Sequence, residues 1–267
     1  MALGTRQFFP THPGQDGAQF ASDMKYSDAH ITNGRYAGGG FPANLLAALF
    51  SMNMFTSVGG MFPYASGGWT VTTTGTSAAA AQAATAGGGV KLTAGSDSTF
   101  NTNLQSIGIW TPVASKRVIA LGRVQASDIT TVGFEFNIGN SQVDPATTNY
   151  TDVVGIKMAV GAGTTVGKVR GNSGTEATVA LSTLAATTDM FVGLTFTLNA
   201  TAALVDGGFF MGSNLMTATY TPFTADQKSQ AAAILTTPPS MYLNLHAKGS
   251  AGNPTVTYTS AIAGVEN

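Results

Sequence analysis

Asp97, Asn101 and Asn103 sit close together in "GGVKLTAGSDSTFNTNLQS", Gly88 to Ser106, and raise the first chemical question. Side-chain oxygens at that spacing suit a calcium ion or a sugar. Calcium takes roughly six to eight oxygens, commonly with several carboxylates among them. Between Ser96 and Gln105 the carboxylate is Asp97, and Thr99, Asn101 and Asn103 add neutral oxygens. Asp and Asn also occupy turns because they bond to their own backbone. The stretch is therefore expected to be an inter-strand connection with a polar rim, and no metal or cofactor is expected in the chain.

Glycoside hydrolysis needs two carboxylates roughly 5 to 9.5 Å apart, one as acid and one as nucleophile or base. The best candidate is Glu135 in "GFEFNIG", but the positions that would share its face are Gly133, Asn137 and Gly139. Without a partner on its strand, Glu135 reads as part of a solvated face. Asp144, Asp152 and Asp189 are equally isolated. His12, His30 and His246 stand far apart, and His246 in "YLNLHAKG" shares parity with Tyr242 and Asn244. A buried or rim histidine with a hydrogen-bond partner is expected there, not a metal ligand. No Gly-x-Ser-x-Gly elbow occurs. The chain reads as a non-enzyme. A sugar site needs an exposed ring and a few amides. Trp69, Trp110 and Tyr150 (beside Asn149) are the candidate glycan contacts, although both Trp residues adjoin strand-like runs where a ring belongs in a core.

These residues hang on an unusual composition. Charged residues make up 9% of the 267, against roughly 25% in an average globular chain. Twelve basic and thirteen acidic residues nearly cancel. A neutral surface does little to keep copies apart, which suits a protein that sits against others. The tight basic pairs are Lys116–Arg117 and Lys168–Arg170, too few for a phosphate-binding patch, so nucleic acid is not an expected partner. The absence of cysteine excludes disulfides, thiolate catalysis and Cys-based zinc sites. The N-terminal stretch lacks a basic segment followed by an apolar one, so no secretory signal is read. The most apolar run, Phe41 to Phe55, is broken by Pro42, Asn44, Ser51 and Asn53 and falls short of the roughly 20 residues that span a bilayer. No membrane is expected, and synthesis and assembly are placed in a cytoplasm.

The composition shifts near residue 64. Residues 1–64 are dense in Gly, Pro, Asn and aromatics with little alternation, and read as an extended arm. Leu45, Leu46, Leu49 and Phe50 recur at helical spacing after Pro42, which predicts one short helix from about Ala43 to Met54. Aromatics in a weakly charged irregular segment need a cover. Phe8, Phe9, Phe20, Tyr26, Tyr36, Phe41, Leu45, Leu49 and Phe50 are therefore the candidate subunit or shell contacts. The alternative is that the arm folds back on its own domain.

Residues 65–267 read as strand and turn. Val90, Leu92 and Ala94 alternate with Lys91 and Thr93. Val118, Ala120 and Val124 face away from Ile119, Leu121, Arg123 and Gln125, and Phe134, Phe136 and Ile138 keep step. About eleven such runs, bounded by Gly, Asn, Pro or Asp, predict an all-β, two-sheet antiparallel sandwich of the jelly-roll kind. One helical turn is expected at "TADQKSQAAAIL", capped by Thr224 or Asp226. The Ala-rich "SAAAAQAATAGGG" suits either helix or loop, and Asp206-Gly207 reads as the tip of a hairpin.

The order of pieces resembles a known group. A Trp-bearing strand ("GGWTV") precedes a Gly-rich one ("GGVKLTAG"). "RVIALGRVQ" then leads to "VGFEFNIG", and a later strand ends in "LVDGGFFMGS". This is similar to the concanavalin-like jelly-roll domains of tailed-phage virion proteins, especially head decoration or cement proteins, over about Gly67 to Thr259. The resemblance implies a structural protein on the outer surface of a virion capsid. It also implies contact with the major capsid protein and an arm that threads along the shell or braids a homotrimer. A glycan-binding, lectin-like module of a head or tail fibre is the alternative it leaves.

Overall fold

The computed structural model of the chain describes residues 52–59, 69–82, 89–96, 101–106, 114–140, 152–171, 175–199, 203–213, 217–230 and 241–266. These residues build two antiparallel sheets. The eight-stranded sheet contains β1 (Met52–Gly59), β3 (Ala79–Gln82), β4 (Val90–Thr93), β6 (Arg117–Ala126), β11 (Met190–Leu198), β12 (Leu204–Gly212), β13 (Thr219–Pro222) and β15 (Thr255–Glu266). Its order is β13-β12-β11-β6-β15-β4-β3, with β1 also paired to β15. The seven-stranded sheet contains β2 (Thr70–Thr74), β5 (Asn101–Gln105), β7 (Val132–Gly139), β8 (Val153–Met158), β9 (Thr164–Arg170), β10 (Ala177–Thr183) and β14 (Tyr242–Gly249). Its order is β10-β9-β8-β7-β14-β5-β2. The architecture is the expected jelly-roll sandwich.

Period-two alternation decides what lies between the sheets. Val118, Ala120, Val124 and Ala126 of β6 meet Phe134, Phe136 and Ile138 of β7, Ile156 of β8 and Leu243, Leu245 and Ala247 of β14 in one buried cluster. Two glycines admit aromatic rings across the gap. A Cβ on Gly122 would lie 2.9 Å from the Phe136 ring, and one on Gly167 would lie 2.3 Å from that of Phe209. Phe209 in turn packs edge-on against Phe223, with ring centroids 5.0 Å apart. Tyr258 of β15, fully buried, crosses the core and donates its hydroxyl to the Glu135 carbonyl at 2.9 Å, with the His246 carbonyl at 3.2 Å.

Several local expectations are corrected. Met52, Asn53 and Met54, expected at the end of a helix, belong to β1, while the rest of that helix lies outside the described residues. The reason is tertiary: β4 flanks β15 only from Thr255 to Tyr258, and β1 pairs with the same strand from Ser260 to Glu266. Ladder bonds to that flank outweigh a weak helical preference. Part of the Ala-rich stretch is strand β3, paired to β4. Asn101 to Gln105 is strand β5 rather than connection. Asp206 and Gly207 lie within β12, where Gly207 adopts φ 139° opposite Phe196, just after the register shift between Leu204 and Asp206. The turn before β12 is instead closed by Asn199, whose amide N–H bonds to the Ala203 carbonyl at 2.9 Å.

The expected helical turn is α1 (Ala225–Gln230). Thr224 caps it: its hydroxyl accepts from the Gln227 N–H at 3.2 Å, and Gln227 Oε1 accepts from the Thr224 N–H at 3.0 Å. Gln227, fully buried, also donates to the Gly167 carbonyl and so ties α1 to β9. No helix among the described residues is long and apolar enough to cross a membrane.

Candidate functional site

The face of the seven-stranded sheet turned away from the core is polar and nevertheless buried. Alternation sends Asn101, Asn103 and Gln105 of β5, Asn244 and His246 of β14, Glu135 and Asn137 of β7 and Lys168 of β9 to that side. Each is at most 8% exposed. Register sets them in rows. Asn103 stands beside His246, His246 beside Glu135, and Glu135 beside Lys157; in the next row Gln105, Asn244, Asn137, Gly155 and Lys168 follow one another.

Buried polar groups must be matched with partners. Glu135 Oε2 accepts from Lys168 Nζ at 2.5 Å and from Asn137 Nδ2 at 2.7 Å. Lys168 is 1% exposed and lies 3.8 Å from Glu176, whose other oxygen takes Lys157 Nζ at 3.0 Å. Gly155 makes this packing feasible: a Cβ there would fall 1.8 Å from Asn137 Oδ1. His246 Nε2 meets Asn101 Oδ1 at 2.9 Å, the hydrogen-bonded histidine expected from sequence.

Burial alone would raise the Glu135 carboxyl, but the Lys168 and His246 charges beside it, with hydrogen bonds from Lys168 and Asn137, hold it at about 2. Burial pushes the His246 imidazole down; Glu135 opposes this, Lys168 and Lys248 add to it, and the result is about 4. At neutral pH the carboxylate is therefore charged and the imidazole neutral. Glu135 is not the solvated side chain that its sequence context suggested. A carboxylate clamped by an ammonium is also unsuited to act as a general acid, which must hold a proton near neutral pH.

Glu135 and His246 open into a pocket of about 480 Å³ lined by Gly133, Phe134, Lys157, Met158, Ala159, Val160, Lys248 and Gly249 as well. The adjoining turn is well fixed. Asp128 accepts from the N–H groups of Thr130 and Thr131, both at 2.7 Å, and from the Thr131 hydroxyl, and Ser250 N–H bonds to the Thr131 carbonyl at 2.8 Å.

Among the sequence candidates, Trp69 is half-buried and packs against the core cluster at the start of β2. Trp110, Tyr150, Asp97, Asp144, His12, His30 and Phe8, Phe9, Phe20, Tyr26, Tyr36, Phe41, Leu45, Leu49 and Phe50 lie outside the described residues. Asp152 is hydrogen-bonded to Asn140 at 3.0 Å and Asp189 pairs with Arg123 at 2.8 Å. Among the described residues no three His, Asp or Glu side chains converge on a metal position. Lys157, Glu176 and Lys248 are not singled out in the sequence, and Lys168 is read there only as half of a basic pair. The signal that points to the polar side itself is a polar doublet at i and i+2, repeated as Asn101/Asn103, Glu135/Asn137 and Asn244/His246.

No family model matches the chain, and no curated protein does. Solved structures do. A protein of unknown function from Shewanella oneidensis MR-1 matches with a TM-score of 0.51 at 9% identity, over 85% of this chain and 95% of that one. The CBM2 module of the evolved Dit of Lactobacillus casei BL23 phage J-1 matches with a TM-score of 0.50 at 9% identity, over 81% of this chain and 97% of that one. The carbohydrate esterase vb_24B_21 of the Shiga toxin-encoding bacteriophage phi24B matches with a TM-score of 0.48 at 16% identity, over 81% of this chain and all of that one. At these identities the likeness is one of fold: this chain shares a sandwich that occurs in a phage protein.

Proposed function

We propose that the chain is a lectin-like structural module of a phage particle, and that the polar side of its seven-stranded sheet binds a glycan. The observation that carries this is the pocket at the edge of that polar side, where Glu135, His246, Lys157 and Lys248 face Met158, Ala159 and Val160. Polar groups beside an apolar wall are what a sugar's hydroxyls and ring face require. The fold shared with a carbohydrate-binding module of a phage supports the reading. Among the described residues lining the pocket there is no serine, threonine or cysteine, and Glu135 is committed to Lys168, so binding without turnover is the reading we adopt.

The test is retention of the full chain on polysaccharide matrices, with elution by soluble oligosaccharide. Wild type is retained and Ala159→Trp, which fills the pocket from its exposed wall, is not. Passage of both in the void would sink the reading.

A second reading is favoured by β1. Its pairing with β15 seats Met52 to Gly59 in the eight-stranded sheet. Together with 9% charged residues, this suits a capsid decoration protein whose arm contacts the major capsid protein or a trimer mate on the virion surface. Co-sedimentation with shells that is lost on deleting residues 1–51 is its expected outcome.

A further inference from the structure

The charges around the pocket do not balance. Lys168 is paired with Glu135 at 2.5 Å and Lys157 with Glu176 at 3.0 Å, so two lysines and two glutamates cancel. Lys248 remains. It lines the same pocket, is half-buried, and has no carboxylate among the described residues within ion-pair reach. Its register partner on one side is Asn101 and on the other Gly133, neither of which carries charge. His246, two residues earlier on the same side of β14, is neutral at pH 7 and does not add to the positive field. Among the described residues the pocket thus has a floor of neutral and compensated polar groups and one uncompensated ammonium on its wall. Met158, Ala159 and Val160 add an apolar wall against which the C–H side of a ring can lie.

We infer that the pocket takes an acidic saccharide, whose anionic group sits on Lys248 while its hydroxyls meet the Glu135 and His246 side. This rests on the glycan reading above and names the class of glycan. A charge-assisted hydrogen bond to a half-buried ammonium is worth more than a neutral one, enough for roughly tenfold in affinity.

The test is calorimetric titration of the full chain at pH 7 with a glucuronate-containing oligosaccharide and with its neutral glucose counterpart. Wild type is expected to bind the acidic sugar roughly tenfold more tightly. Lys248→Gln should bind both alike, with an unchanged melting temperature, and Lys248→Arg should keep the preference. Inorganic sulfate at the same concentration should not displace the acidic sugar; equal displacement would mean a simple anion site and overturn the inference. Equal binding of acidic and neutral sugars by wild type, or an unaltered preference in Lys248→Gln, would overturn the inference and leave glycan binding standing. Binding of neither sugar would overturn both.

Discussion

Lys168 of β9 reaches across the intervening strand β8 to Glu135 of β7, closing to 2.5 Å where Gly155 leaves the space above β8 free. Both members are nearly removed from solvent, so each is held in place by the other. Cutting one partner out of a buried pair leaves an uncompensated charge, which costs about 3–5 kcal/mol. Lys168→Met is expected to lose that much in urea unfolding at pH 7. Lys168→Met combined with Glu135→Gln should recover most of it. A single variant as stable as wild type would show that the pair is not closed in solution.

Acid should weaken the sandwich in two overlapping stages. His246 falls from 6.5 to about 4 on folding, so the unfolded chain binds its proton first and stability drops as pH descends from 6.5 toward 4. Glu135 falls from 4.5 to about 2, so its contribution, present above 4.5, is lost between there and 2. Each shift corresponds to about 3 kcal/mol. Urea midpoints measured from pH 7 to pH 3 should trace this decline, and His246→Asn should flatten the upper stage and shrink the lower, because the His246 charge helps to hold Glu135 down. A His246→Asn curve parallel to wild type between pH 6.5 and 5 would contradict the assignment.

Gly155→Ala should be among the most damaging methyl additions in the sheet. The new Cβ would meet Asn137 Oδ1 at 1.8 Å and the Phe136 carbonyl at 2.9 Å. Overpacking of this kind costs about 1–3 kcal/mol. Because the nearest atom belongs to a side chain, Asn137→Ala in the same protein should relieve part of the loss. A double-mutant cycle with no coupling would argue that Asn137 points elsewhere.

Tyr258→Phe deletes the hydroxyl that ties the two sheets at the Glu135 and His246 carbonyls. The expected loss is about 1–2 kcal/mol, with ring packing retained. Thermal unfolding resolves it, and a variant that melts with wild type would show the bond to be dispensable.

Two truncations bear on β1. A chain starting at Met52 keeps the strand that pairs Ser260 to Glu266; a chain starting at Ala65 removes it and bares that flank of β15. The longer deletion should melt lower, by about 3 kcal/mol or more from lost ladder bonds, and should self-associate through the opened edge. Equal melting of the two would remove β1 from the sandwich.

The strands that carry the core were legible because their alternation is apolar against polar. Phe134, Phe136 and Ile138 could be assigned to one side from the letters alone, and the structure places them in the core. The same alternation hid β5. "NTNLQ" offers one apolar residue, Leu104, and its amides look like turn chemistry, because a buried polar side is not an expectation of composition. Glu135 was misread for the same reason. Its partner Lys168 lies 33 positions away, and a pairing between β7 and β9 depends on strand order, which no local window contains. β1 escaped because its pairing depends on how far β4 extends along β15. The hairpin expected at Asp206-Gly207 shows the opposite error: a good turn pair was used inside a strand, beside a register shift, with Gly207 at φ 139°.

β15 has β6 along one flank and both β4 and β1 along the other. A ribosome working at roughly 5–20 residues per second delivers β1 many seconds before residue 266 emerges. Throughout that interval β1 and β4 have no seat beside β15. The eight-stranded sheet therefore closes only after synthesis has passed its fifteenth strand, by contacts between residues some two hundred positions apart. Such long loop closures are slow. A nascent chain stalled before Thr255 would present open strand edges to chaperones, and completion of β15 is the event that ends that exposure.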